Sequence, residues 1–249
     1  MPPAATMRAA GHYTADVHTL QIQHDHTNLL GAFHDVLHDA GTVDVWRTFE
    51  DPAPKSLVAY DAVVLMGGVA MPDEDDRYPW IPPELRLLRE GLERELPMLG
   101  VCFGGQILAR AADAAVGPGT TEQGWFDIGL LPDGEFDPLI GPLGVGYRAF
   151  EWHHYNFEMP PNAVPLAINA AGNQAYRVGR AAWGLQFHIE VDRKTVEWWM
   201  DVGASNLDEH GVDKDALRAD TEALVEHNER VAANLARRFV EIAHQHGHA

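Results

Sequence analysis

Apolar positions in this chain follow two rhythms. Residues 17–22, 43–46, 61–66 and 97–101 are short apolar runs. The third, Asp61-Ala62-Val63-Val64-Leu65-Met66, is almost unbroken, as expected for a strand covered on both faces. The stretches between them carry helical spacing. Asn28 reads as the cap of a helix reaching about Ala40, with Leu29, Leu30, Phe33, Val36 and Leu37 on one face and Gly41 as its stop. Residues 82–95 form a second helix with Leu85, Leu88 and Leu92 in register, and residues 104–115 a third. Strand and helix thus alternate, which predicts an α/β fold with a doubly wound, mostly parallel sheet.

The pattern then changes. Residues 125–131, 164–169, 175–178 and 182–187 read as short strands with turn residues between them, predicted as antiparallel extensions of the sheet. From residue 193 onward the spacing is helical, near 193–204 and 214–232 and on to about 243. Residues 1–15, rich in Ala, Pro and Gly, read as a mobile segment. Residues 16–204 read as one domain, and 205–249 as its C-terminal helical extension, packed back on the core or offering a homodimer surface. Neither a repeat nor a linker divides the chain.

Composition narrows the function. With 249 residues, 46% of them hydrophobic, the chain can bury a sizeable core. Its net charge of -19 argues against nucleic acid or an anionic membrane as partner, since phosphates demand clustered Lys and Arg. Residues 1–13 hold no signal-peptide core, and no apolar run has the length of a membrane helix. A single cysteine excludes an intramolecular disulfide framework and points to a reducing, cytoplasmic compartment.

That cysteine stands in Leu99-Gly100-Val101-Cys102-Phe103-Gly104-Gly105-Gln106, where an apolar run meets a helical one. Small residues two positions either side permit a sharp strand-to-helix turn that exposes a nucleophile. The helix that follows aims its N–H groups and positive dipole end at the sulfur, which favours the reactive thiolate. A base is at hand in Gly184-Leu185-Gln186-Phe187-His188-Ile189-Glu190, where Glu190 can fix the His188 tautomer and leave the other ring nitrogen for the thiol. An oxyanion needs two preset N–H donors. The Phe103 amide can supply one, and the Gly67-Gly68 pair, at the end of a parallel strand, another.

Gly-Val-Cys-Phe-Gly-Gly-Gln, the upstream Leu-Met-Gly-Gly-Val and the downstream Leu-Gln-Phe-His-Ile-Glu resemble class I (triad-type) glutamine amidotransferases, in particular the stand-alone GMP synthase-like group. Further matches are Asp73-Glu74-Asp75, Glu122-Gln123-Gly124-Trp125, Trp152-His153 and Gln174-Ala175-Tyr176-Arg177. The resemblance implies a flavodoxin-like sheet and hydrolysis of the glutamine side-chain amide through a γ-glutamyl thioester, with no cofactor and no metal. It makes Cys102 the nucleophile, His188 the base and then acid, Glu190 its orienter, and Gly68 and Phe103 the oxyanion donors. Gly67, Gln106 and the backbone near His154 and Tyr155 would hold the substrate.

Two departures matter. The family usually carries Pro where this chain has Ile189, so the backbone between the two catalytic side chains is expected to be less restrained. It often reads Trp-His-Gly-Asp where this chain has Trp152-His153-His154-Tyr155, near the substrate's α-amino and α-carboxyl groups. A γ-glutamyl peptide or conjugate hydrolase therefore stands beside the glutaminase reading, with a regulatory subunit that fires only when docked to a synthase as a third. A redox chaperone with a Cys elbow is a fourth, opposed by His188-x-Glu190. Any transfer of ammonia calls for a separate acceptor enzyme.

Other features read more simply. His34 and His38 suit a solvated helix face, His24 and His26 a loop at the site mouth, and His244, His246 and His248 a disordered or solvated tail. Asp73–Asp76 reads as a solvated loop shaping the pocket entrance, and Trp198-Trp199 as packing or a partner surface.

Overall fold

The computed structural model describes residues 16–247, so the predicted mobile segment 1–15 and His248 lie outside the described residues. Nine strands form one sheet: β1 Thr19–Gln23, β2 Val43–Arg47, β3 Ala62–Leu65, β4 Met98–Val101, β5 Val116–Leu130, β6 Tyr147–Phe157, β7 Val164–Asn169, β8 Gly172–Val178 and β9 Ala182–Leu185. Their order is β2-β1-β3-β4-β9-β8-β7-β5-β6. The pairs from β2 through β9 are parallel and those from β9 to β6 antiparallel. Seven α-helices accompany the sheet: α1 His34–Ala40, α2 Ile81–Glu93, α3 Phe103–Ala111, α4 Pro132–Glu135, α5 Arg193–Val202, α6 Ala204–Glu209 and α7 Lys214–Gly247.

Alternation along the central strands feeds a core on each side. Val63 and Leu65 of β3 pack with Leu85 and Leu88 of α2 and Ile107 and Leu108 of α3. Val64 and Met66 point to the opposite face, against Leu37 of α1 and Leu235 and Phe239 of α7. Placing Leu20, Ile22, Leu65 and Phe239 out of water at about 1.5–3 kcal/mol each makes these two layers the main source of stability. The C-terminal helix therefore packs on the core. Among the described residues no helix is long and apolar enough to cross a membrane.

Several expectations need correction. The strand at 182–187 is no antiparallel extension: β9 runs parallel to β4 and antiparallel to β8, so it is the strand at which the sheet changes direction. A long strand, β6, was not expected at all. Helix α3 ends at Ala111 because Asp113 adopts φ 66 and turns the chain toward β5. Asn28 does not cap a helix. Its side chain bonds Asp25 and Thr27, and the helical region starts as a 3-10 turn at Gly31–Phe33. His244 and His246, read as part of a tail, belong to α7.

Candidate active site

Parallel strands β3, β4 and β9 deliver their carboxyl ends to one cleft, which brings residues near 67, 102 and 188 together. Cys102 follows β4 directly, and its amide donates to the Leu185 carbonyl at 2.8 Å. Its backbone sits at φ 50, ψ -110, a region that L residues rarely occupy, so the turn into α3 is held under strain. The glycines around it are required by contact. A Cβ on Gly104 would lie 2.3 Å from the Leu65 carbonyl oxygen, and one on Gly105 2.4 Å from that of Leu185.

His188 emerges just past β9, its amide bonded to the Phe150 carbonyl at 2.7 Å. Nδ1 lies 2.8 Å from Glu190 Oε1, while the other nitrogen serves the Cys102 sulfur. Burial works against charge on this imidazole, but the Glu190 carboxylate and the Cys102 sulfur outweigh it and hold it well above the usual histidine range. The Trp199 ring meets the imidazole edge-on at 4.7 Å, and its Nε1 donates to the Thr27 carbonyl at 3.3 Å. Trp199 is thus a wall of the site, a role its sequence setting on a helix did not reveal.

Ile189 is where the backbone was expected to be loose. It is not. Asn228 of α7, 1% exposed, donates to the Ile189 and Val191 carbonyls at 2.9 Å each and accepts from the Tyr147 hydroxyl at 2.6 Å. On the other side, the Ala32 amide donates to the Glu190 carbonyl at 2.8 Å. Tertiary hydrogen bonds supply the restraint that a proline would supply locally.

Gly67 and Gly68 follow β3 as expected. The amides of Gly68 and Phe103 have no acceptor among the described residues. Two groups missed from sequence shape this loop. His24, 4% exposed, bonds through Nδ1 to the Met66 carbonyl at 2.8 Å and through Nε2 to buried Glu84 at 2.9 Å. Burial disfavours its charged form, yet Glu84 and the carbonyls raise it above the ordinary histidine value. Asp25 ties the β1 and β3 loops together, accepting from the Thr27, Asn28 and Val69 amides. Past the glycines, the acidic run is anchored: Arg110 of α3 grips Asp75 through two bonds of 2.5 and 2.8 Å.

These elements enclose a cavity of about 340 Å³. Cys102, His188, Gly68, Gln106, His154 and Tyr155 all reach its lining, and none of the residues lining it is Asp, Glu, Lys or Arg. Gln106 Nε2 is engaged by the Tyr155 carbonyl at 2.8 Å and Gln186 Oε1 at 3.2 Å. His154 bonds Thr121 at 3.0 Å. Burial, with His210 and His153 nearby, lowers its pKa. Behind the Trp152 wall lies a buried group of Glu122, Glu151 and His153, also missed from sequence. Burial opposes charge on His153, but the two carboxylates push it up to about 10, and burial pushes Glu151 up to about 7.

A family model described as glutamine amidotransferase class-I matches residues 8–197. The glutamine-hydrolyzing subunit of GMP synthase from Natronomonas pharaonis is 32% identical over 161 residues, covering 64% of this chain and 80% of that protein. A crystal structure of a glutamine amidotransferase from Thermotoga maritima superposes with TM-score 0.80 at 30% identity, covering 91% of this chain and 97% of that one. One from Methylobacillus flagellatus gives TM-score 0.82 at 26% identity, covering 91% and 95%. Matches over 91% of the chain extend past residue 197 into the C-terminal helices.

Proposed function

This chain belongs to the class-I glutamine amidotransferase family, and from that premise we propose that it hydrolyses a γ-glutamyl amide, with glutamine as substrate, through a thioester on Cys102. The observation that carries the reading is the line from Glu190 to His188 to the sulfur: a 2.8 Å carboxylate–imidazole contact behind a strained nucleophile turn.

His188 takes the thiol proton as sulfur attacks the amide carbon. Negative charge builds on the former carbonyl oxygen, where the Gly68 and Phe103 amides are free to receive it. The carbon–nitrogen bond breaks as His188 returns the proton to nitrogen, and ammonia leaves. Water then attacks the thioester, its proton passing to His188 and on to sulfur, and glutamate departs. Gln106 Oε1, which accepts no hydrogen bond among the described residues, is available to the substrate's ammonium group. A separate synthase partner would consume the ammonia, a role the subunit naming of the Natronomonas relative supports.

One observation favours a second reading. The cavity offers no formal charge to an α-carboxylate, and Met71, Trp152, Trp199 and Val202 give it an apolar wall. A γ-glutamyl conjugate of an apolar amine fits that wall as leaving group. The test is ammonia and glutamate release from L-glutamine, beside amine release from a γ-glutamyl anilide, with Cys102→Ala as control. Cys102-dependent ammonia release supports the first reading. Anilide turnover without glutamine turnover replaces it with the second, and turnover that survives Cys102→Ala sinks both.

A further inference from the structure

Strands β5 and β6 build a second polar centre, closed off from solvent. In their ladder Glu122 lies opposite His153, and Gly124 opposite Glu151. Side chains alternate along a strand, so Glu151 and His153, two residues apart, share a face, and Glu122 joins them from the neighbouring strand. One ligand atom from each of the three lies within 4.8 Å of the others. His153 Nε2 is 3.1 Å from Glu122 Oε2 and 3.4 Å from Glu151 Oε2. Nδ1 donates to the Tyr155 carbonyl at 3.1 Å, since a carbonyl only accepts. A backbone carbonyl on one ring nitrogen, with the other turned to carboxylates, is how metal-ligating histidines are oriented.

Unpartnered atoms point the same way. Both oxygens of Glu151, a residue 0% exposed, are buried without a hydrogen-bond partner. So is Gln174 Oε1, on a side chain whose Nε2 donates to Glu122 Oε2 at 3.2 Å. A buried carboxylate without donors is costly unless a cation compensates it. Among the described residues no Lys or Arg pairs with Glu122 or Glu151, leaving two carboxylates to one imidazole in a dry interior.

We propose that Glu122, Glu151 and His153 bind a divalent transition-metal ion, with zinc the best match to one imidazole and two carboxylates. The ion replaces the proton shared by His153 and the carboxylates, and that proton passes to solvent. It clamps β5 to β6 behind Trp152, whose carbonyl lies 3.9 Å from the Cys102 sulfur. The site does not depend on the chemistry at Cys102.

Metal content tests it. Wild type and Cys102→Ser, the latter lacking the competing thiolate, are exposed to Zn²⁺, desalted and analysed by plasma mass spectrometry. About one zinc per chain is expected in both, and binding weaker by about tenfold or more in Glu151→Gln, which keeps the side chain's shape and loses its charge. Should Glu151→Gln fail to fold, Co²⁺ absorption of the intact Cys102→Ser protein decides: weak visible bands report nitrogen–oxygen ligation. No zinc retained by Cys102→Ser, undiminished zinc in Glu151→Gln, or no cobalt bands in Cys102→Ser would each overturn the proposal.

Discussion

Gly67→Ala tests the proposed geometry with a single methyl. Gly67 is outside the left-handed region, so alanine is conformationally permitted and its effect is steric. The new Cβ would lie 2.8 Å from His188 Cε1 and 2.4 Å from Asn28 Oδ1. The imidazole has no free direction of retreat, since Glu190 holds Nδ1 at 2.8 Å and Trp199 stands 4.7 Å from the ring. Reaching ordinary contact displaces it by about 0.6 Å or more. Misplacement near 1 Å at a reacting group costs about 10²-fold, so kcat should fall roughly 10- to 100-fold. Overpacking should cost about 1–3 kcal/mol of stability, leaving the fold intact. The assay is steady-state glutamate formation with urea unfolding alongside, and Gly117→Ala, whose Cβ meets nothing within 4 Å, as control. Wild-type kcat in a folded Gly67→Ala protein would refute the assignment of His188 as the base.

Within the proposed triad, Cys102→Ala should abolish turnover and His188→Ala remove nearly all of it, while Glu190→Gln should hurt less because the base remains; the same kinetics report all three. Asn228→Ala leaves two carbonyls and a hydroxyl without partners in a dry setting. It should cost about 2–4 kcal/mol by chemical denaturation and lower kcat more than it raises KM. The raised pKa of His188 favours its charged form in the folded protein. That stabilisation is fully present below the unfolded value of 6.5 and is lost as pH rises through the higher folded value. The stability gap between wild type and His188→Gln, read from urea midpoints, should therefore be widest near pH 6 and narrow in alkali.

The alternation of apolar runs and helical stretches made the parallel half legible, because strands such as β3 are buried on both faces and announce themselves. Strand β6 was hidden for a physical reason. Its inward positions include Glu151 and His153, so the expected apolar alternation is filled by polar side chains that satisfy one another across strands. Their spacing of two was the available signal. The pairing of His24 with Glu84 joins residues far apart in sequence, which no local pattern can report. Likewise Asn28, a sound helix cap by residue type, found better partners in Asp25 and Thr27. The elbow and the His-x-Glu pair were legible because each is a local constraint on backbone and spacing.

Asn228 gives the long final helix a bearing on biogenesis. Synthesis proceeds from Cys102 to the His188 strand and reaches α7 last. Until that helix is made and docked, the carbonyls on either side of Glu190 lack their tether, and the imidazole above the thiol lacks a fixed carboxylate. A nascent or C-terminally clipped chain would carry its cysteine as an ordinary thiol, and the hydrolytic machinery would switch on only in the finished protein.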